Sequence, residues 1–174
     1  MTMKQLTMVV SVCLFVGVLL AQPGQMVPFK GYCYGIPPSQ ETVSGTYYDQ
    51  NHTPVVIDQL PALCDVVGNS THIGNFSGTI FFLEWPPPPD APLPLGVVLW
   101  AANGDEVWAD LTHVSEDGGL ATILGGTGRF AGASGSWTNH PYDKPVPPGS
   151  LFAHLFDGMI SKVYPSVKTE IRVS

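Results

Sequence analysis

The stretch GGTGRFAGASGSW, from Gly125 to Trp137, decides the fold. Within eleven residues it carries five glycines: Gly125, Gly126, Gly128, Gly132 and Gly135. Only glycine tolerates positive φ or close backbone approach at so many neighbouring positions. The stretch follows the apolar run LATIL directly. It therefore predicts a tight corner between two strands, with Phe130 packed inward and Arg129 on the surface.

Length and composition predict one loop-rich β domain. The chain has 174 residues, which suits a single core. Its 19 glycines and 17 prolines punctuate short β-prone runs, while charged residues are only 12% of the total. No segment has convincing helical periodicity, and prolines interrupt most windows long enough to hold a helix.

Two segments give the clearest strand signals. LGVVLWAANGDEVWADLTHV contains Asn103-Gly104 between two β-rich runs, which predicts a hairpin with a type I′ turn. In NFSGTIFFLEW, Phe76, Ile80, Phe82 and Glu84 share one face by strand alternation. Further runs predict a first hairpin over residues 45–58, strands at LCDVV and SGSWTN, and a last long strand at LFAHLFDGMISKV. An antiparallel, up-and-down β-barrel of about eight strands is the natural assembly.

Alternating strand directions place the connections of this barrel. Residues 86–94, 115–119 and 139–149 fall at one end, and the Asn103-Gly104 turn and the glycine corner fall at the other. We call the first end the mouth. It collects both proline-rich loops, together with the acidic side chains Asp90, Glu116, Asp117 and Asp143.

The first residues predict export. Residues 1–21 combine Lys4, an apolar core and a small Ala21, as a secretory signal does. The alternative is an uncleaved membrane anchor, since the apolar stretch is close to the length that spans a bilayer. We expect cleavage near Gln22, no stable membrane span afterwards, and a secreted or periplasmic protein. The expected divisions are an irregular arm at 22–44, the barrel at 45–162 and a tail at 163–174.

Export would also determine the oxidation state of the cysteines. Cys13 lies in the leader, which leaves Cys33 and Cys64 to form one disulfide in an oxidising environment. The alternative is two buried free thiols. There is no CxxC and the five histidines are scattered, so the sequence predicts no metal site.

Charge excludes one class of partner. The chain has 7 basic and 14 acidic residues. Binding to a nucleic-acid backbone needs clustered lysine and arginine, which this chain lacks.

A family resemblance rests on four motifs. AANGDEV and ILGGTGRFAGASGSW, with THIGNFSGT upstream and LFDGMIS downstream, resemble exported bacterial proteins of the allene oxide cyclase and dirigent barrel class. The similarity covers roughly residues 63–161. It implies an eight-stranded barrel with an apolar cavity, in which a reactive intermediate cyclises or couples in the plant enzymes. Those plant enzymes are often trimeric, so the resemblance leaves both a monomer and a homo-oligomer open for this chain.

Three polar residues are candidates for catalysis. Glu84 shares a strand face with Phe76 and Phe82, and His154 shares one with Phe152 and Phe156. If those faces point inward, both polar groups line an apolar cavity, where desolvation raises the pKa of a carboxyl group. Asp110, beside Trp108, is the third candidate. In the simpler interpretation Glu84 reaches solvent and His154 is a packed, hydrogen-bonded histidine.

The sequence indicates no cofactor. GTGRFA fits a loose dinucleotide-binding pattern, but AGASGSWTNHP after it does not open a helix. We expect a barrel that binds a small apolar molecule, with Phe76, Phe82, Trp108, Phe152 and Phe156 as the ligand-binding side chains. The alternatives are a cyclase or isomerase that uses Glu84, Asp110 or His154, and a structural protein with a filled barrel.

Overall fold

The computed structural model describes residues 24–87, 93–115 and 118–161, without the side chains of 113–115. The predicted leader 1–21, the tail 163–174 and the mouth residues Asp90, Glu116 and Asp117 lie outside this part of the chain. No helix in the described ranges is long and apolar enough to cross a membrane. The elements are β1 (Met26–Ile36), β2 (Thr42–Tyr48), β3 (Pro54–Ser70), β4 (Gly74–Phe82), β5 (Leu95–Ala101), β6 (Glu106–Ser115), β7 (Gly118–Gly126), a 3-10 turn (Gly128–Phe130), β8 (Gly135–Pro141) and β9 (Phe152–Ser161).

Eight of these strands close into an antiparallel barrel. The sheet order is β1-β9-β8-β7-β6-β5-β4-β3-β2, and β1 also pairs with β3. This extra pairing, from Gly31 opposite Ser70 to Ile36 opposite Asp65, joins the two ends of the sheet. The predicted up-and-down barrel of about eight strands is confirmed.

The remaining strand, β2, lies outside the barrel. The first part of β3 pairs with β2 from Pro54 to Pro61, whereas its later part pairs with β1 and β4. The predicted hairpin near residues 45–58 is therefore present, and it packs across the outer face of β4, β5, β6 and β7. Between the hairpin and the barrel lies a second apolar cluster: Tyr47, Ile57, Phe81, Val98, Trp108 and Leu124. Phe81 is fully buried there.

The glycine corner has the predicted form. It links β7 to β8 through a single 3-10 turn, in which Phe130 is buried and Arg129 pairs with Asp105 at 3.4 Å. Gly128 has a φ of +54°, and a Cβ at this position would lie 1.8 Å from Asp105 Oδ1. Any larger residue at 128 would therefore displace the carboxylate that holds Arg129.

The Asn103-Gly104 hairpin is present, but its turn differs from the predicted type I′ form. Gly104 N–H donates to the Ala101 carbonyl at 2.9 Å, and Ala101 N–H donates to the Asp105 carbonyl at 2.8 Å. Gly104 has positive φ, and Asn103 does not. The loop is therefore the three-residue form that ends in a left-handed glycine. Asn103 instead donates to Asp105 Oδ2 through its side chain.

The first strand replaces the irregular arm predicted for 22–44. Val27, Phe29 and Cys33 of β1 pack against the inner core. The same face carries Gly31 and Gly35, where an added Cβ would meet the rings of Phe156 and Phe152 at 2.5 and 2.2 Å. These glycines make room for β9, and they interrupt the apolar alternation that would have revealed a strand.

The barrel interior is filled at one end only. Away from the mouth it is closed by buried side chains of β1, the β3–β4 turn and the glycine corner: Phe29, Ile73, Phe130 and Ala133. The antiparallel pairings put the β4–β5, β6–β7 and β8–β9 connections together at the opposite end. This confirms the predicted mouth for the strands that flank these connections.

Candidate functional site: the barrel cavity

The open half of the barrel contains a cavity of about 620 Å³. Its walls come from the inward faces of β1 and of β3 to β9, because alternate side chains of each barrel strand point to the axis. The lining is predominantly aliphatic and aromatic: Leu63, Val66, Phe76, Ile80, Leu95, Val97, Leu99, Leu111, Trp137, Pro141, Phe152, Ala153 and Phe156, with Gly119 and the polar residues Cys33, Cys64, Asn139 and His154.

Aromatic rings form the inner end of this cavity. Phe156 lies 6.2 Å from Phe76 and 6.1 Å from Trp137 between ring centroids. Phe29 packs behind them, 5.2 Å from Phe156 and 5.4 Å from Trp137. These contacts hold the rings in fixed orientations, so a ligand would meet a rigid apolar surface.

Asn139 places a polar group on the wall. It follows Trp137 by two residues on β8, so both side chains point inward. Trp137 Nε1 donates to Asn139 Oδ1 at 3.1 Å. This contact uses the oxygen of the amide, and the two N–H donors of Asn139 have no hydrogen-bond acceptor among the described residues. The alternation from Trp137 to Asn139 could have identified this residue in the sequence.

His154 lies on the wall near the mouth. Its ring stacks on Phe152, with centroids 5.0 Å apart. Burial lowers the pKa of His154 from 6.5, and the charge of His140 acts in the same direction. The imidazole is therefore neutral at pH 7, and one of its ring nitrogens can accept a hydrogen bond.

The two cysteines also line the cavity, but as free thiols. Cys33 lies opposite Gly68 on β3, four residues beyond Cys64. That offset is about 13 Å at ~3.3 Å per residue, whereas a disulfide requires Cα atoms within about 7 Å. The predicted bridge is therefore absent from the structure. Burial is the main cause that raises the pKa of Cys33 to about 12 and that of Cys64 to about 11.

The predicted aromatic site residues divide into two groups. Phe76, Phe152 and Phe156 line the cavity, and Phe82 packs half-buried against the same inner core without lining it. Trp108 lies on the outer face of β6 instead, where its indole donates to Glu106 Oε2 at 2.9 Å. Strand alternation puts it opposite the inward face, and the β2–β3 hairpin buries it there.

The predicted catalytic residues are also separated. His154 lines the cavity, whereas Glu84 is exposed just beyond the end of β4. Asp110 shares the outer face of β6 with Trp108 and accepts a hydrogen bond from the Tyr47 hydroxyl. Burial raises the pKa of Asp110, and hydrogen bonds from Tyr47 and Gln50 oppose that shift. Neither carboxyl group faces the cavity.

No metal centre accompanies these residues. Within the described ranges, no group of three or more His, Cys, Asp or Glu side chains is placed to hold a metal ion.

Among known proteins, the chain matches solved structures only. No protein-family model and no curated protein matches the chain. Three chains of solved structures do. One of them is a dirigent protein. This pterocarpan synthase dirigent protein is 14% identical to the chain, with a TM-score of 0.45, and the match covers 82% of this chain and 99% of that one. The closed eight-stranded barrel is established by the strand pairing itself.

Proposed function

We propose that this protein binds a small apolar molecule inside its barrel. The observation that carries the proposal is the cavity of about 620 Å³, whose walls are almost entirely aliphatic and aromatic. This volume lies within the usual range of small-molecule sites. A structural protein with a filled barrel would not need such a space, because protein interiors are normally packed without large voids.

The compartment in which the protein acts is part of the same proposal. We infer from the leader pattern of residues 1–21 that the protein acts outside the cytoplasm, secreted or in the periplasm. The resemblance of four sequence motifs to exported bacterial proteins of the allene oxide cyclase and dirigent barrel class agrees with this location. A carrier or scavenger of a poorly soluble compound is the kind of role that an apolar cavity suits.

Binding can be tested with a neutral apolar fluorophore. N-phenyl-1-naphthylamine is expected to bind the purified protein with one site per chain and to gain fluorescence. Leu99→Trp places a larger side chain in the cavity and should abolish binding. Leu155→Trp adds the same side chain to the outer face of β9, where Leu155 is 40% exposed, and should leave binding unchanged. Equal binding by both folded variants would contradict the proposal.

The natural ligand can be sought by native mass spectrometry of protein purified from its exporting host without refolding. A defined added mass would identify the ligand class, and the mass of the chain itself would locate the cleavage site. The same spectrum would report the oligomeric state.

A cyclase or isomerase is the second candidate. One observation favours it: His154 presents a neutral imidazole to the cavity, which is the form a general base requires. Of the three predicted catalytic residues, His154 is the one that lines the cavity. His154→Gln should then abolish conversion of a bound ligand while leaving its affinity within a few fold, whereas a simple binding protein would convert no ligand in either form.

A further inference from the structure

A second cleft lies at the rim of the barrel, where the tip of the β2–β3 hairpin meets β6 and the residues before β5. Its volume is about 270 Å³. It is lined by Gln50, Leu83, Leu93, Pro94, Leu95, Asp110, Leu111 and Thr112. The proposed apolar ligand does not use the polar side chains of this cleft.

Asp110 is the charged group of the cleft. The Tyr47 hydroxyl donates a hydrogen bond to its carboxylate. Burial raises the pKa of Asp110, and hydrogen bonding from Tyr47 and Gln50 opposes this rise and favours the ionised form. The side chain of Asp110 is partly buried. No basic side chain within the described ranges forms an ion pair with it: Lys30 pairs with Asp157, and Arg129 pairs with Asp105. Asp110 is thus a partly desolvated acidic group that has no basic partner among the described residues.

The polar atoms around Asp110 are acceptors. Gln50 lines the same cleft as Asp110, and its side-chain Oε1 can accept a hydrogen bond. The Thr112 hydroxyl donates to the Leu120 carbonyl at 3.4 Å, which leaves the lone pairs of its oxygen. Together with Asp110, the cleft offers three acceptors. A primary ammonium group carries three donors and one positive charge.

The rest of the cleft is apolar and small. Leu83, Leu93 and Pro94 contribute to its apolar lining. The volume corresponds to roughly nine water molecules at ~30 Å³ each, which suits a ligand of about that many non-hydrogen atoms.

We propose that the rim cleft binds a primary alkylammonium group, with Asp110, Gln50 and Thr112 accepting its three N–H bonds and Leu83, Leu93 and Pro94 contacting its alkyl chain. This site shares Leu95 and Leu111 with the wall of the barrel cavity, but Asp110, Gln50 and Thr112 do not line that cavity, so the proposal does not depend on the function proposed for it.

Calorimetric titration with butylammonium chloride at constant ionic strength tests the site. Butan-1-ol has the same chain without the charge and should bind at least about tenfold more weakly. Asp110→Asn should weaken butylammonium binding by at least about tenfold. The matched control is Asp143→Asn, which removes one negative charge from an exposed loop and should leave the affinity within about twofold.

A further variant tests the site in case Asp110→Asn does not fold. Thr112→Val removes one acceptor without touching the Tyr47–Asp110 hydrogen bond, and it should weaken butylammonium binding by about threefold. NMR should place the ligand by shifts at the backbone amides of Gln50 and Thr112. Butylammonium binding that is unchanged in Thr112→Val and in folded Asp110→Asn, or equal binding of butan-1-ol, would overturn the proposal.

The source of the ammonium group can be distinguished with a second probe. Tighter binding of Nα-acetyl-lysine N-methylamide than of butylammonium would identify a protein side chain as the source. Tighter binding of butylammonium would identify a free amine.

Discussion

At the scale of single residues, Gly128 combines two constraints that can be measured separately. Its φ of +54° disfavours any side chain, and an added Cβ would collide with Asp105. Gly132, in the same corner, has a φ of +75° and open space around a Cβ. We expect Gly132→Ala to lower the free energy of unfolding by about 1 kcal/mol and Gly128→Ala by about 2 to 4 kcal/mol. Urea denaturation would measure both. Equal losses would show that Asp105 moves aside freely.

The cysteine thiols should react slowly in the folded protein. A rise in the pKa of Cys33 from 9.0 to about 12 lowers its thiolate fraction at pH 8 by about a thousandfold, and the rise for Cys64 to about 11 lowers it by about a hundredfold. Iodoacetamide labelling followed by mass spectrometry should therefore modify both residues in denaturant and neither at the same exposure in buffer. If denaturant alone fails to expose them and a reductant is needed, the two thiols are bridged.

His154 makes stability depend on pH. Its pKa is lowered from 6.5 on folding, so below pH 6.5 the unfolded state binds more protons than the folded state. The free energy of unfolding should therefore fall as pH drops from 7.5 to 5, and this fall should be smaller in His154→Gln. Urea denaturation at several pH values measures the slope. An unchanged slope in the variant would assign the dependence to other groups.

At the scale of elements, the β2–β3 hairpin stabilises the barrel from outside. Tyr47 lies 5.8 Å from Phe81 and 5.5 Å from Trp108 between ring centroids. Tyr47→Ala should cost about 3 to 5 kcal/mol and shift the Trp108 emission to longer wavelength, because water reaches the outer face of β6. Val56→Ala, on the same hairpin but 83% exposed, should change stability by less than about 0.5 kcal/mol. Similar losses in both variants would contradict this role.

The same elements show how far the sequence determines the fold. Alternation in β4 separates Phe76 from Phe81, and the glycine corner fixes the turn between β7 and β8, so both were predictable. β1 was hidden because Gly31 and Gly35 interrupt its apolar face. Trp108 was misplaced for a different reason: a large aromatic side chain on a strand usually indicates the inner face, and only the distant β2–β3 hairpin explains why this indole is buried on the outer face of β6.

For the candidate site, the sequence supplied the residue types but not their neighbours. The inward position of Phe152, His154 and Phe156 follows from alternation along β9. The separation of Cys33 from Cys64 does not, because it depends on the register between β1 and β3. Register is set by contacts between residues that are far apart in the chain.

At the scale of the whole molecule, a ligand in the cavity should stabilise the entire barrel, since eight strands contribute to its walls. A bound compound at about one hundred times its dissociation constant should raise the free energy of unfolding by about 2.7 kcal/mol. The urea midpoint should rise while the slope of the transition stays constant. Stabilisation that persists in Leu99→Trp would locate the ligand elsewhere.

Within the described ranges, Phe29 and Phe130 close one end of the barrel, so a ligand enters and leaves through the mouth. Association and dissociation of the ligand then follow the same route in opposite directions and cross the same free-energy barrier. A change in a rim loop that never contacts the bound compound, such as Lys144 beyond β8, would raise or lower both rate constants by one common factor. Occupancy at equilibrium would be untouched, and only the time needed to reach it would change.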